Sequence, residues 1–162
     1  MTTELAWRSE APDLAEALIG YRQWRLNEWG LTSPFHDYAW EKGVNTALCA
    51  RRPGHLEHAP AHSCGCGLHA WYRPAPRLGH ATPALVGGAI AMWGEVELHP
   101  TGLRSQYACV VALVLPWIGT SKRRRVTRVG ELLEVEIVPL NALTVAAERY
   151  GKPVSDALVP PG

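Results

Sequence analysis

From Tyr107 to Leu115 every residue is apolar (YACVVALVL). A run of this length, rich in valine and bounded by polar residues and Pro116, fits a central strand covered on both faces better than an amphipathic element. Upstream, from about Val86 to His99, the chain alternates. Ile90, Met92, Val96 and Leu98 share one face, and Ala91, Trp93, Glu95, Glu97 and His99 share the other. Gly94 interrupts the alternation and is expected to mark a bulge. The turn His99-Pro100-Thr101-Gly102 then predicts that the two segments pair as antiparallel neighbours.

Other elements are arranged around that pair. Leu14 and Leu18, one helical turn apart and followed by Gly20, predict a short helix over 9–20. Arg22, Trp24 and Leu26 alternate with Tyr21, Gln23 and Arg25, which predicts a strand ending near Gly30. Leu133, Val135 and Ile137 alternate with Glu134 and Glu136 and predict a further strand before Pro139. Leu143, Ala146, Ala147 and Tyr150 recur at helical spacing. The expected class is α+β: a small, mainly antiparallel sheet with a metal-bound loop and short helices at both ends. The expected organisation is a helical extension over 1–20, one zinc-stabilised domain over 21–155 and a flexible tail over 156–162. A chain of 162 residues should bury about 70% of its unfolded surface, so it has a core of its own without a metal.

Between Cys49 and Cys66 lie three of the four cysteines and three of the seven histidines. Cys49, His58, Cys64 and Cys66, spaced Cys-x8-His-x5-Cys-x-Cys, would fill a tetrahedral shell and suit a structural zinc. Gly65 and Gly67 leave the backbone free to tighten around one ion, and Pro60 stiffens the approach from His58. His55, His62 and His69 compete with His58 for the fourth place. An iron-sulfur cluster is the alternative occupant, since three cysteines and a histidine also serve it. His55-x-Glu57 with Cys64 and Cys66 echoes pieces of zinc deaminases, but those cysteines stand one residue apart instead of two. Disulfides are disfavoured, because the chain opens on no export signal and the cysteines stand among histidines.

Trp24-Arg25, Cys49, His58-Ala59-Pro60, Cys64-Gly65-Cys66-Gly67-Leu68-His69-Ala70, Trp93-Gly94 and Gly102-Leu103-Arg104 together resemble a family of uncharacterised bacterial proteins of actinobacterial type. The resemblance spans roughly Tyr21 to Pro116. It implies that the cysteines and one histidine form a unit with the strands that follow, and it carries no activity.

Two further features bear on function. Seven tryptophans stand against one phenylalanine, and Trp24, Trp40 and Trp93 with Arg104 are candidates for a ligand pocket. Lys122, Arg123, Arg124, Arg125 and Arg128 place five cations without an acid in what is expected to be a loop between two late strands. The remainder holds 11 basic against 15 acidic residues, so the charge is asymmetric and suits nucleic acid or an acidic protein surface. No phosphate-binding Gly-x-x-x-x-Gly-Lys loop, His-Glu-x-x-His helix or Gly-x-Ser-x-Gly elbow occurs. No stretch of eighteen apolar residues occurs either, so a cytoplasmic protein without a membrane partner is expected. The function these features favour is a non-catalytic, zinc-stabilised binding or regulatory module for an unidentified macromolecule. The alternatives are weak nucleic-acid association through 122–128 and an iron-sulfur redox or sensing protein.

Overall fold

The computed structural model describes residues 16–49, 58–75, 78, 82, 84–117 and 119–162. In chain order the strands are β1 (Leu18–Leu26), β2 (Leu31–Thr32), β3 (Ala39–Trp40), β4 (Asn45–Thr46), β5 (Leu68–Ala70), β6 (Leu85–Leu98) and β7 (Leu103–Val114). Helix α1 (Thr120–Leu133), β8 (Glu136–Val138), α2 (Leu143–Ala147) and β9 (Lys152–Pro153) complete the order. Among the described residues these nine strands form one mixed sheet.

The alternating segment and the apolar run are β6 and β7. They pair antiparallel from Leu98↔Leu103 to Gly88↔Leu113, with register shifts at Ala89/Ile90 and at Trp93/Val96. Gly94 sits in the second shift at φ 82, the bulge the sequence predicts. β1 covers the other edge of β6, from Leu18↔Met92 to Arg25↔Leu85. The far edge of β7 is filled piecewise: β5 against Leu103–Ser105, β4 against Tyr107 and Ala108, and β8 against Ala112–Val114. β7 is therefore paired on both edges as well as covered on both faces, which is why its sequence shows no polar alternation through Tyr107–Leu115.

Each face carries its own core. Trp24, Leu26, Val86, Ile90, Met92, Val110 and Leu113 pack on one side with Val126, Val129 and Leu133 of α1. Ile19, Tyr21, Ala89, Ala91, Trp93, Cys109 and Val111 pack on the other with Leu143, Ala146 and Ala147 of α2. The period-two reading of β6 thus separates the two cores correctly.

Several expectations are corrected. The basic run is not a loop: it opens α1, whose Val126, Val129, Gly130 and Leu133 are buried at helical spacing. Consequently Leu133 ends that helix instead of starting a strand. Glu134 caps it at φ 54, and β8 then runs parallel to β7, a pairing that needs a crossover such as α1 supplies. Of the opening helix, residues 9–15 lie outside the described residues, and Leu18–Gly20 belong to β1. At the other end the expected tail includes a 3-10 turn over Asp156–Leu158, with Arg73 paired to Asp156 at 2.8 Å and Val159 packed on the first core. The late helix lies close to its expected place, and its first turn, Leu140–Ala142, is 3-10.

Gly88 is one of the closest approaches in the sheet: a Cβ there would overlap the Ala112 carbonyl oxygen and fall 2.8 Å from the Trp24 ring. A backbone oxygen held in the β6–β7 ladder has no room to retreat. Gly88→Ala should therefore destabilise the protein by about 1–3 kcal/mol, measured by urea unfolding, with the denaturant slope unchanged.

Candidate metal centre

The far edge of β7 builds the cysteine site. β4 and β5 both run antiparallel to β7 and meet on the same edge, β4 reaching Tyr107 and β5 starting at Ser105. The Ala47 N–H extends the first segment by donating to the Gln106 carbonyl. Cys49 follows β4 by three residues and Cys64 and Cys66 precede β5, so all three arrive at the junction of the two segments.

There the Sγ atoms of Cys49, Cys64 and Cys66 all lie within 4.8 Å of one another, and Cys49 Sγ stands 3.8 Å from Cys64 Sγ. A disulfide requires about 2.05 Å, so this pair is not bonded. Tetrahedral zinc with Zn–S distances near 2.3 Å sets its thiolates about 3.8 Å apart, which is the spacing of this pair. Three cysteines are thus positioned to hold a metal ion. Burial pushes the Cys66 thiol up, and the neighbouring Cys64 and Cys49 thiols add to that, against a lowering contribution from the Ala61 backbone. Crowded thiolates of one sign are the charge a divalent cation offsets.

Gly67, at φ 129, closes the loop, and its Cα faces the Arg104 and Pro60 side chains. Arg104 is the clamp. Only 3% exposed, it donates from Nη1 to the Cys64 carbonyl and to the Cys66 carbonyl (2.7 Å), and from Nη2 to the Ala61 carbonyl (3.1 Å) and to Glu97 (2.6 Å). One side chain of β7 therefore grips both ends of the turn that presents two thiols. His69 braces the same turn through its Nε2 and the Gly65 carbonyl at 2.8 Å. Desolvation, opposed by that backbone contact, holds its pKa below the usual histidine value, with the Arg104, Arg22 and His99 charges acting in the same direction.

The structure unites three of the four expected ligands. His58 is exposed and stands outside the cysteine group, as does His62, because the intervening Ala59-Pro60-Ala61 take the buried positions. His55 lies outside the described residues.

No protein-family model, curated protein or solved structure matches this chain.

The suggested ligand pocket is not assembled. Trp24 and Trp40 meet edge to face on the α1 side of the sheet, with ring centroids 5.6 Å apart. Trp93 packs beside Tyr107 on the opposite side. The cation held by the first pair is the chain's own: the Arg22 guanidinium lies 4.6 Å from the Trp40 ring and 5.4 Å from Trp24. Arg22 also donates to the His69 carbonyl and to Ser33 Oγ, and burial brings its pKa down to about 10. Arg104, assigned to that pocket, belongs instead to the cysteine site. Its partner Glu97 was legible, since folding the chain about residues 99–102 sets 98 opposite 103 and 97 opposite 104. Arg22 offered no comparable signal, because its burial depends on the distant β3 and β5.

Among the described residues no helix is long and apolar enough to cross a membrane.

Proposed function

We propose that the chain is a non-catalytic, zinc-stabilised binding module whose ion ties the β4 and β5 segments together on the edge of β7. The observation that carries this reading is the approach of Cys49, Cys64 and Cys66 to within 4.8 Å at a spacing suited to one tetrahedral ion. An iron-sulfur cube is less well served, because it places each thiolate on a different iron and so spreads the sulfurs more widely. The Arg104 clamp supports a mechanical role: it fixes the ligand-bearing backbone and brings positive charge beside three thiolates.

Elemental analysis and a visible spectrum of protein purified without added metal test the proposal. One zinc per chain and no colour are expected; a brown, iron-bearing preparation or metal-free protein would overturn it. Cys64→Ser should lose the zinc and lower the melting temperature together. If free zinc stands about a hundredfold above its Kd, the ion contributes about 2.7 kcal/mol, or about 5–11 °C for a chain of this size. His58→Ala should leave both quantities unchanged, as its exposure outside the group implies.

A further inference from the structure

The first three turns of α1 gather five cations and no acid. Lys122, Arg123, Arg124, Arg125 and Arg128 precede the helix's first acid, Glu131. Arg123, Arg124 and Arg128 are exposed, whereas Lys122 and Arg125 are half-buried. Lys122 and Arg123 also donate to the Thr82 and Pro116 carbonyls, which holds the start of the helix against its flanking segments. The N-cap is Gly119, with no side-chain cap and no acid in the first turn. The helix's positive end therefore adds to the side-chain charge instead of being neutralised.

Two large aromatic side chains flank this charge. Trp117 is 68% exposed and stands two residues ahead of Gly119. Trp29 is 69% exposed at the β1–β2 turn and lies beside the helix, its ring 5.4 Å from the Arg128 guanidinium. Glu28 approaches Arg128 at 3.8 Å. Largely exposed aromatic side chains close to arginines suit a polyanion that offers flat, unstacked faces, because stacking and phosphate pairing then act on the same strand. A duplex would meet the charge but hide its base faces, and an acidic peptide would use the charge without the rings.

We propose that the exposed face of α1, with Trp29 and Trp117, binds single-stranded nucleic acid without sequence preference. This inference is independent of the metal reading. Phosphates pair with Arg123, Arg124 and Arg128 while bases stack on the two indoles.

Fluorescence anisotropy of a labelled twenty-residue oligo-dT with the full chain, across a salt series, tests it. Three to five phosphate contacts predict a log-log salt slope between about −2 and −3.5. Arg124→Ala/Arg128→Ala should weaken binding about tenfold or more and flatten the slope by about 1.4, while Arg124→Lys/Arg128→Lys should restore most of it. Trp117→Ala and Trp29→Ala should each weaken binding about fivefold or more. The proposal is overturned if the oligonucleotide does not bind, if tryptophan variants bind like the parent, or if a duplex or poly-glutamate competes as well as the single strand.

Discussion

Trp24→Ala should lower the unfolding free energy by about 3–5 kcal/mol, the range for removing a large aromatic from a packed interior. Trp24 is 0% exposed and lies at the centre of the α1-side core, edge to face with Trp40 and opposite Val86 in the β1–β6 ladder. Its ring also supports Arg22, so the substitution leaves a buried guanidinium with less of its aromatic bed. Trp24→Phe separates these contributions. The indole Nε1 is buried with no hydrogen-bond partner among the described residues, so phenylalanine keeps much of the apolar surface and sheds an unsatisfied donor. Phenylalanine should therefore cost well under half of what alanine costs, as measured by chemical denaturation at constant slope. Equal losses for both would show that the stability resides in the indole's polar edge and not in its area.

The β6–β7 hairpin was legible because local signals agreed: a period-two segment before the Pro-Thr-Gly turn and a continuous apolar run after it. The outer edges were not, since β2, β3, β4, β5 and β9 are two or three residues long and form only against backbone offered by β1, by β7 or, for β3, by β2. Pairs that short carry no period. The error over α1 has a different origin. Val126, Val129, Gly130 and Leu133 do recur at helical spacing, but five cations and β-branched valines weaken the impression of a helix. Leu133 to Ile137 then alternates across a real helix-to-strand boundary, and five residues fit either period.

The cysteine site was legible in part for a similar reason. Residue type alone marks Cys49, Cys64 and Cys66, because soft ligands so concentrated in sequence have few other uses. The histidine choice was not legible from residue type. It turns on which way a loop faces, and the burial of Ala59, Pro60 and Ala61 against the sheet sends His58 and His62 to solvent. Likewise the tryptophans were candidates for a ligand pocket as well as for core packing, whereas Trp24, two residues along β1, and Trp40 of β3 close on the chain's own Arg22.

On the proposed zinc reading, Arg104→Met should cost about 3–5 kcal/mol and, in the same protein, lower the affinity of the cysteine site for its ion about 10–100-fold. The buried guanidinium serves four acceptors, three of them carbonyls of the turn from Ala61 to Cys66. Methionine fills the volume but removes this donor from the Cys64 and Cys66 carbonyls, leaves the Ala61 carbonyl with the Cys64 N–H, and leaves Glu97 without its cation. Glu97 is 27% exposed and water relieves part of its loss, so the lower end of the range follows if the carbonyls also find solvent. Arg104→Lys should not rescue the protein, because one ammonium cannot span four acceptors that a planar fork reaches from two nitrogens. Glu97→Gln supplies the contrast. It keeps an oxygen for Arg104 and touches no thiol-bearing residue, so it should reduce stability by about 1 kcal/mol while zinc content stays at one per chain. Loss of zinc with Glu97→Gln, or its full retention at unchanged affinity with Arg104→Met, would mean that the ligand turn is organised by something other than the β7 clamp.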